Sequence, residues 1–232
     1  MKYKRLMHQE NGPVHVFAPN IIDVDTTTTV FFHGWNLGRR VPWYVDNAVS
    51  DFHLERKLRS ANTNTVLVVP ATRVGRGTTV RWKTWSSLRS WLEKEDGLYV
   101  PTSNTHLIGH SGAWDNLAHW IKSEGDDIQH LSLLDATYDK FSVFRDWAKD
   151  SHHALDICVS RKTKTHTNAW SILKEQSGYY TFLKDINPAQ KSRIIYCVQS
   201  RSHMSWVTED QPFVALLQRQ RLIRDDLAFG ML

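Results

Sequence analysis

The chain has 232 residues, 41% of them hydrophobic and 23% charged, a balance that excludes a disordered polymer and is ample for one sizeable core. Lys and Arg outnumber Asp and Glu by 29 to 24, a formal net charge of +5, which favours anionic partners without naming them. No run of about 18 apolar residues is present and the basic amino-terminal stretch has no apolar secretory core, so the expectation is a cytoplasmic protein with no membrane span.

Taken in chain order, short apolar runs rich in β-branched residues predict strands at 13–19, 26–34, 64–72, 105–111, 128–138, 154–160 and 193–200. Helical spacing predicts helices at roughly 42–60, 79–96, 112–124, 140–150, 168–185 and 209–225; in the first, Val45, Ala48, Val49, Phe52 and Leu58 form the apolar face. Strands alternating with helices predict an α/β fold, a three-layer α/β/α sandwich with a mostly parallel sheet. No repeat, low-complexity tract or linker divides the chain, so residues 1–232 are read as one domain without a large cap. In open parallel sheets ligands bind beyond the carboxyl ends of the strands, and the residues just after each strand are the candidates for chemistry.

The strand at 105–111 runs into Gly109-His110-Ser111-Gly112-Ala113 and then a helical pattern. A serine nucleophile on a tight strand-to-helix turn needs small residues two before and two after it, and Gly109 and Ala113 meet that demand. Acyl transfer needs two donors for the oxyanion. The Gly112 amide is one; the other is expected from Trp35, which follows the strand ending in His33-Gly34. His203 is the only histidine after the last strand and is read as the base, with His166 in reserve. The orienting acid is Asp135, at the end of the strand after the serine, or Asp139 four residues on.

Cys158 and Cys197 fall inside strand-like runs and read as small buried hydrophobes. The twelve histidines are scattered and show no metal-ligand spacing; His152, His153 and Asp156 are the nearest approach, so no metal is predicted.

Together, "FFHGWN", "LIGHSGAW", "SLLDATY" and "SRSHMSWV" resemble the α/β-hydrolase superfamily of serine esterases, lipases and amidases. The family's chain order of nucleophile, acid and histidine is met by Ser111, Asp135 and His203. The family more often carries its acid after the strand that here ends at Ser160, and a lipase-like minority carries it where Asp135 stands. The resemblance implies hydrolysis of an ester or amide through an acyl-enzyme, with no cofactor.

Basic and aromatic residues crowd the segments after the strands, and Arg73, Arg76, Arg161 and Trp206 are read as contacts to a small-molecule or polymeric substrate of anionic character, such as an acidic glycan or cell-envelope conjugate. Arg201, Lys162, Lys164, Trp82 and Trp85 belong to the same expected rim. Two other classes fit the pattern: a non-catalytic binding module on this fold, and a protein that holds anionic polymers by its basic loops. No nucleic-acid motif or phosphate-binding loop is present, so no specific nucleic acid is expected.

Overall fold

The structure is a computed structural model describing residues 1–34, 44–72, 81–174, 180–190 and 192–228, with side chains in the last helix through Arg221 and at Ile223. Each predicted apolar run forms a strand buried along its whole length: β2 (Gly12–Ala18), β3 (Thr27–Phe32), β4 (Thr65–Pro70), β5 (Thr105–His110), β6 (His130–Leu134), β7 (Ala154–Ser160) and β9 (Ile194–Gln199). Two further strands, β1 (Lys2–His8) and β8 (Tyr180–Leu183), lie at the two edges of the sheet. The order is β1-β2-β4-β3-β5-β6-β7-β9-β8, parallel throughout except for β1 with β2 and β2 with β4.

The helices are α1 (Tyr44–Asp51), α2 (Leu54–Ala61), α3 (Trp85–Asp96), α4 (Trp114–Glu124), α5 (Phe141–Trp147), α6 (Lys164–Leu173), α7 (Ser205–Thr208) and α8 (Asp210–Ala228). The single helix expected over 42–60 is broken at His53, whose φ of 50° cannot continue a right-handed helix. The helix expected over 168–185 is corrected: α6 ends at Leu173, and Tyr180–Leu183 pairs with β9. Its Tyr-Thr-Phe run suits a pleated surface better than a helix.

Helices cover both faces of the sheet. Against α3, α4, α5 and α6 pack Val30, Leu107, Leu133 and Ile157; against α1, α2, α7 and α8 pack Phe31, Ile108, Cys158 and Cys197. The two cysteines are buried, free and opposite one another in the β7–β9 register. The β5 strand, carrying Ser111 at its end, lies between β3 and β6. The serine therefore has the turn after β3 on one side and the loop after β6 on the other.

Under α8, at the opposite end of the strands from Ser111, lies a buried polar layer. Gln220 Nε2 donates to the carbonyls of Thr28 (3.0 Å) and Asn104 (3.2 Å), and its Oε1 accepts from Thr29 Oγ1 (2.7 Å). Arg219 Nε donates to Asp156 Oδ1 at 3.0 Å, and its other nitrogens donate to the carbonyls of Gln190 and Ser192. Burial opposes the charge on Asp156, but Arg219 and His130 outweigh it and hold this carboxyl well below the usual range.

Candidate active site

Ser111 has φ 55°, left-handed backbone that a non-glycine residue adopts at a cost of about 1–3 kcal/mol. The tight turn is enforced by its neighbours. A Cβ on Gly109 would stand 2.3 Å from Leu117 Cδ1, 3.0 Å from its Cγ and 3.2 Å from the Ala113 Cβ, so a side chain at 109 would have to displace Leu117. A Cβ on Gly34 would stand 2.6 Å from the Ser111 Cβ and 3.2 Å from its Oγ. The turn after β3 thus presses bare backbone against the serine. Gly112 follows in a 3-10 turn, Ser111–Ala113, which leads directly into α4.

On the other side of Ser111, His203 Nδ1 lies 2.7 Å from Asp135 Oδ2. Asp135 is fully buried, while the His203 side chain is 30% exposed, so the pair runs from core to solvent. The second carboxylate oxygen accepts from the Ser160 amide (3.0 Å), Thr163 Oγ1 (2.9 Å) and Thr165 Oγ1. Burial raises the carboxyl pKa, but His203, Thr165 and the Ser160 amide more than offset it, and the net shift is downward. An ionised Asp135 accepts a hydrogen bond from Nδ1–H and so leaves Nε2 of His203 with a lone pair. Asp139 does not join this group; it is exposed and its Oδ1 accepts from the Lys140 amide at 2.6 Å. His166 lies on α6 with its ring against Tyr196, and among the described residues no hydrogen bond joins its ring to Ser111 or Asp135.

Two residues beyond those expected complete the group. His110 is buried; its Nε2 donates to the His203 carbonyl at 3.0 Å, and its ring lies 4.6 Å from the His203 ring. Burial, then the neighbouring His203, holds its pKa down to about 3, so it is a neutral donor. Tyr138 presents its ring edge-on to His203 at 6.4 Å, and the Ser111 hydroxyl acts to lower its phenol pKa against burial. The position of His110 beside the serine was legible in the sequence; the direction of its ring was not.

The expected substrate rim is partly corrected. Trp206 is fully buried and its indole N–H donates to Ser160 Oγ at 2.8 Å, so it packs the core beneath the site and reaches no substrate. Trp82 and Trp85 are likewise core residues. Arg201 is neutralised by Glu209 and by Asp185 at 3.8 Å. Arg161 is exposed after β7, as expected. Trp35, Arg73 and Arg76 lie outside the described residues.

His33, at the end of β3, is buried, and burial lowers its pKa to about 4 against the opposing bond to Gly34. Its Nδ1 donates to the Gly34 carbonyl at 2.8 Å, which fixes that peptide beside Ser111. The histidines and aspartate suggested by "SHHALD" are not gathered: His152 bonds Asp150 and His153 bonds the Trp147 carbonyl. Asp156 instead joins His106 and His130, the one trio among the described residues whose ligand atoms lie within 4.8 Å of one another. Both of its carboxylate oxygens are already engaged, by Arg219 on one side and by His130 and Ser132 on the other. The imidazoles of His106 and His130 stack at 3.8 Å with planes 4° apart, so their in-plane lone pairs cannot converge on one ion.

The sheet order, the turn at Ser111 and the His203–Asp135 contact define the α/β-hydrolase fold, and solved structures agree. A fluorophosphonate-binding serine hydrolase of Staphylococcus aureus superposes with a TM-score of 0.60 at 10% identity, over 94% of this chain and 97% of that one. A feruloyl esterase module from Clostridium thermocellum gives 0.60 at 11% identity, over 94% and 87%. The S-formylglutathione hydrolase of S. aureus gives 0.56 at 10%, over 94% and 98%. No protein-family model and no curated protein sequence matches the chain. At these identities the likeness is one of fold.

Proposed function

We propose that this chain is a serine hydrolase that cleaves an ester or amide through an acyl-enzyme on Ser111. The observation that carries the reading is the 2.7 Å contact of His203 with a buried Asp135, beside a serine held at φ 55°. Ser111 Oγ attacks the substrate carbonyl carbon as its proton passes to His203 Nε2, and Asp135 stabilises the imidazolium. The Gly112 amide, with that of Trp35, holds the oxyanion. Collapse breaks the bond to the leaving group, which takes the proton from His203. Water then attacks the acyl-enzyme, again giving its proton to His203, and the acid is released as Ser111 recovers its own.

The substrate is read as anionic. Arg161, Lys162 and Lys164 follow β7 beside the acid loop, are mostly exposed and form no ion pair among the described residues. Arg73 and Arg76 belong to the same reading. Raising salt should then raise KM for an acidic substrate much more than for a neutral short-chain ester; an equal response would remove the anionic preference.

The test of the reaction class is labelling with a fluorophosphonate probe. Stoichiometric labelling of the wild type, lost in Ser111→Ala and His203→Ala, is the expected result. A folded wild type that neither labels nor hydrolyses p-nitrophenyl esters would favour a non-catalytic module on this fold.

A further inference from the structure

Tyr138 stands three residues after Asp135, on a loop that is pinned from below. Thr137 Oγ1 donates to the Thr165 carbonyl at 2.7 Å, and Asn168 Nδ2 donates to the Thr137 carbonyl at 2.9 Å. The main chain entering Tyr138 is thereby tied to α6. The Tyr138 ring stands edge-on to that of His203 at 6.4 Å, its phenol is near enough to the Ser111 hydroxyl to be influenced by it, and the residue is still 39% exposed.

The order of strands decides what that hydroxyl can touch. Gly34, after β3, flanks Ser111 on one side; Tyr138, after β6, flanks it on the other together with Asp135 and His203. On the acyl-enzyme reading the oxyanion is held by main-chain amides that follow β3 and β5. The leaving group must depart on the His203 side, because His203 has to protonate it.

We propose that Tyr138 is a further catalytic residue, whose hydroxyl donates a hydrogen bond to the leaving-group oxygen of an ester substrate and so suits the site to esters of poorly departing alcohols, alkyl or sugar. This rests on the acyl-enzyme reading. In the resting site the Ser111 hydroxyl acts to lower the pKa of the phenol. As the C–Oγ bond forms, the Ser111 proton passes to His203, and the phenol turns its O–H to the oxygen on which charge gathers as the scissile C–O bond breaks. The proton delivered to that oxygen is the one His203 took from Ser111; Tyr138 keeps its own throughout. Burial, then Asp135, raises the phenol pKa, so Tyr138 stays a donor across the neutral range.

The experiment compares wild type with Tyr138→Phe on ethyl butyrate and p-nitrophenyl butyrate, which give the same acyl-enzyme and differ in their need for help at the leaving oxygen. Fluorophosphonate labelling is run on both proteins. The expected result is unchanged labelling stoichiometry, with kcat/KM for the ethyl ester falling about 10- to 100-fold further than for the p-nitrophenyl ester, the worth of one hydrogen bond to a charged oxygen. Parallel losses on the two esters, or no loss on either, would overturn the role of Tyr138 while leaving the hydrolase reading intact. A wild type that neither labels nor turns over either ester would overturn both.

Discussion

Asp135→Asn isolates the electrostatic core of the site. The substitution keeps shape and replaces one oxygen with an amino group. On one side of the carboxylate three donors converge, from the Ser160 amide, Thr163 and Thr165. The remaining amide oxygen must face them, since an amino group there would meet the main-chain N–H of Ser160. That orientation aims the new N–H at His203 Nδ1, now 2.7 Å from an oxygen. His203 must then present a lone pair at Nδ1 and carry its proton on Nε2, the nitrogen that has to accept from Ser111. A wrong-tautomer histidine in a site of this kind costs roughly 10⁴-fold in kcat, or about 5 kcal/mol in the barrier. The assay is hydrolysis of a p-nitrophenyl ester, with a melting curve as control; because the three donors keep an acceptor, the melting temperature should hold. Asp139→Asn should leave activity unchanged. Full activity in Asp135→Asn, or loss in Asp139→Asn instead, would refute the reasoning.

Gly34→Ala should abolish fluorophosphonate labelling without unfolding the chain, because the added methyl meets the Ser111 Cβ at 2.6 Å and displaces the nucleophile; retained labelling would show that the turn can move away. His110→Leu removes the donor to the His203 carbonyl and should lower kcat about tenfold with KM kept, whereas His110→Gln, with a donor at similar reach, should recover most of it. Stability should fall in acid because His33 and His110 are buried neutral, with pKa values near 4 and 3. In the unfolded chain both titrate near 6.5, so their contribution is complete above that pH and is lost as pH falls toward 4 and then 3, at up to about 1.4 kcal/mol per pH unit for each. Urea unfolding at a series of pH values measures that slope, and His110→Gln should flatten it.

The seven buried strands were legible because each is a continuous apolar run, the mark of a strand covered on both faces. The edges were not. In β1, Lys-Tyr-Lys-Arg-Leu-Met-His offers little apolar alternation because one face and one edge meet water, and its position comes from main-chain pairing with β2. The site divides in the same way. Ser111, His203 and Asp135 stand at strand ends, where sheet geometry assigns chemistry, so position put them forward, with Asp139 and His166 left as alternates. Tyr138 and His110 stand against His203 through side-chain direction, which spacing does not encode. Trp206 shows the converse error: composition placed it among the aromatics of a substrate rim, while packing uses it to seal the floor beneath Ser160.

The polar layer beneath α8 bears on how the chain is made. Gln220 joins β3 to the segment before β5 from 191 and 192 positions downstream of its β3 partners, and Arg219 answers the charge on Asp156 from 63 positions downstream. A nascent chain that has completed its sheet but not yet this helix holds Asp156 without its guanidinium and leaves Phe31 without Phe213, its edge-on neighbour at 5.2 Å. Such an intermediate has an open apolar face and a carboxylate held only by His130 and Ser132, and it is exposed to aggregation until α8 docks. Chaperone dependence during synthesis should track how quickly that helix becomes free to dock.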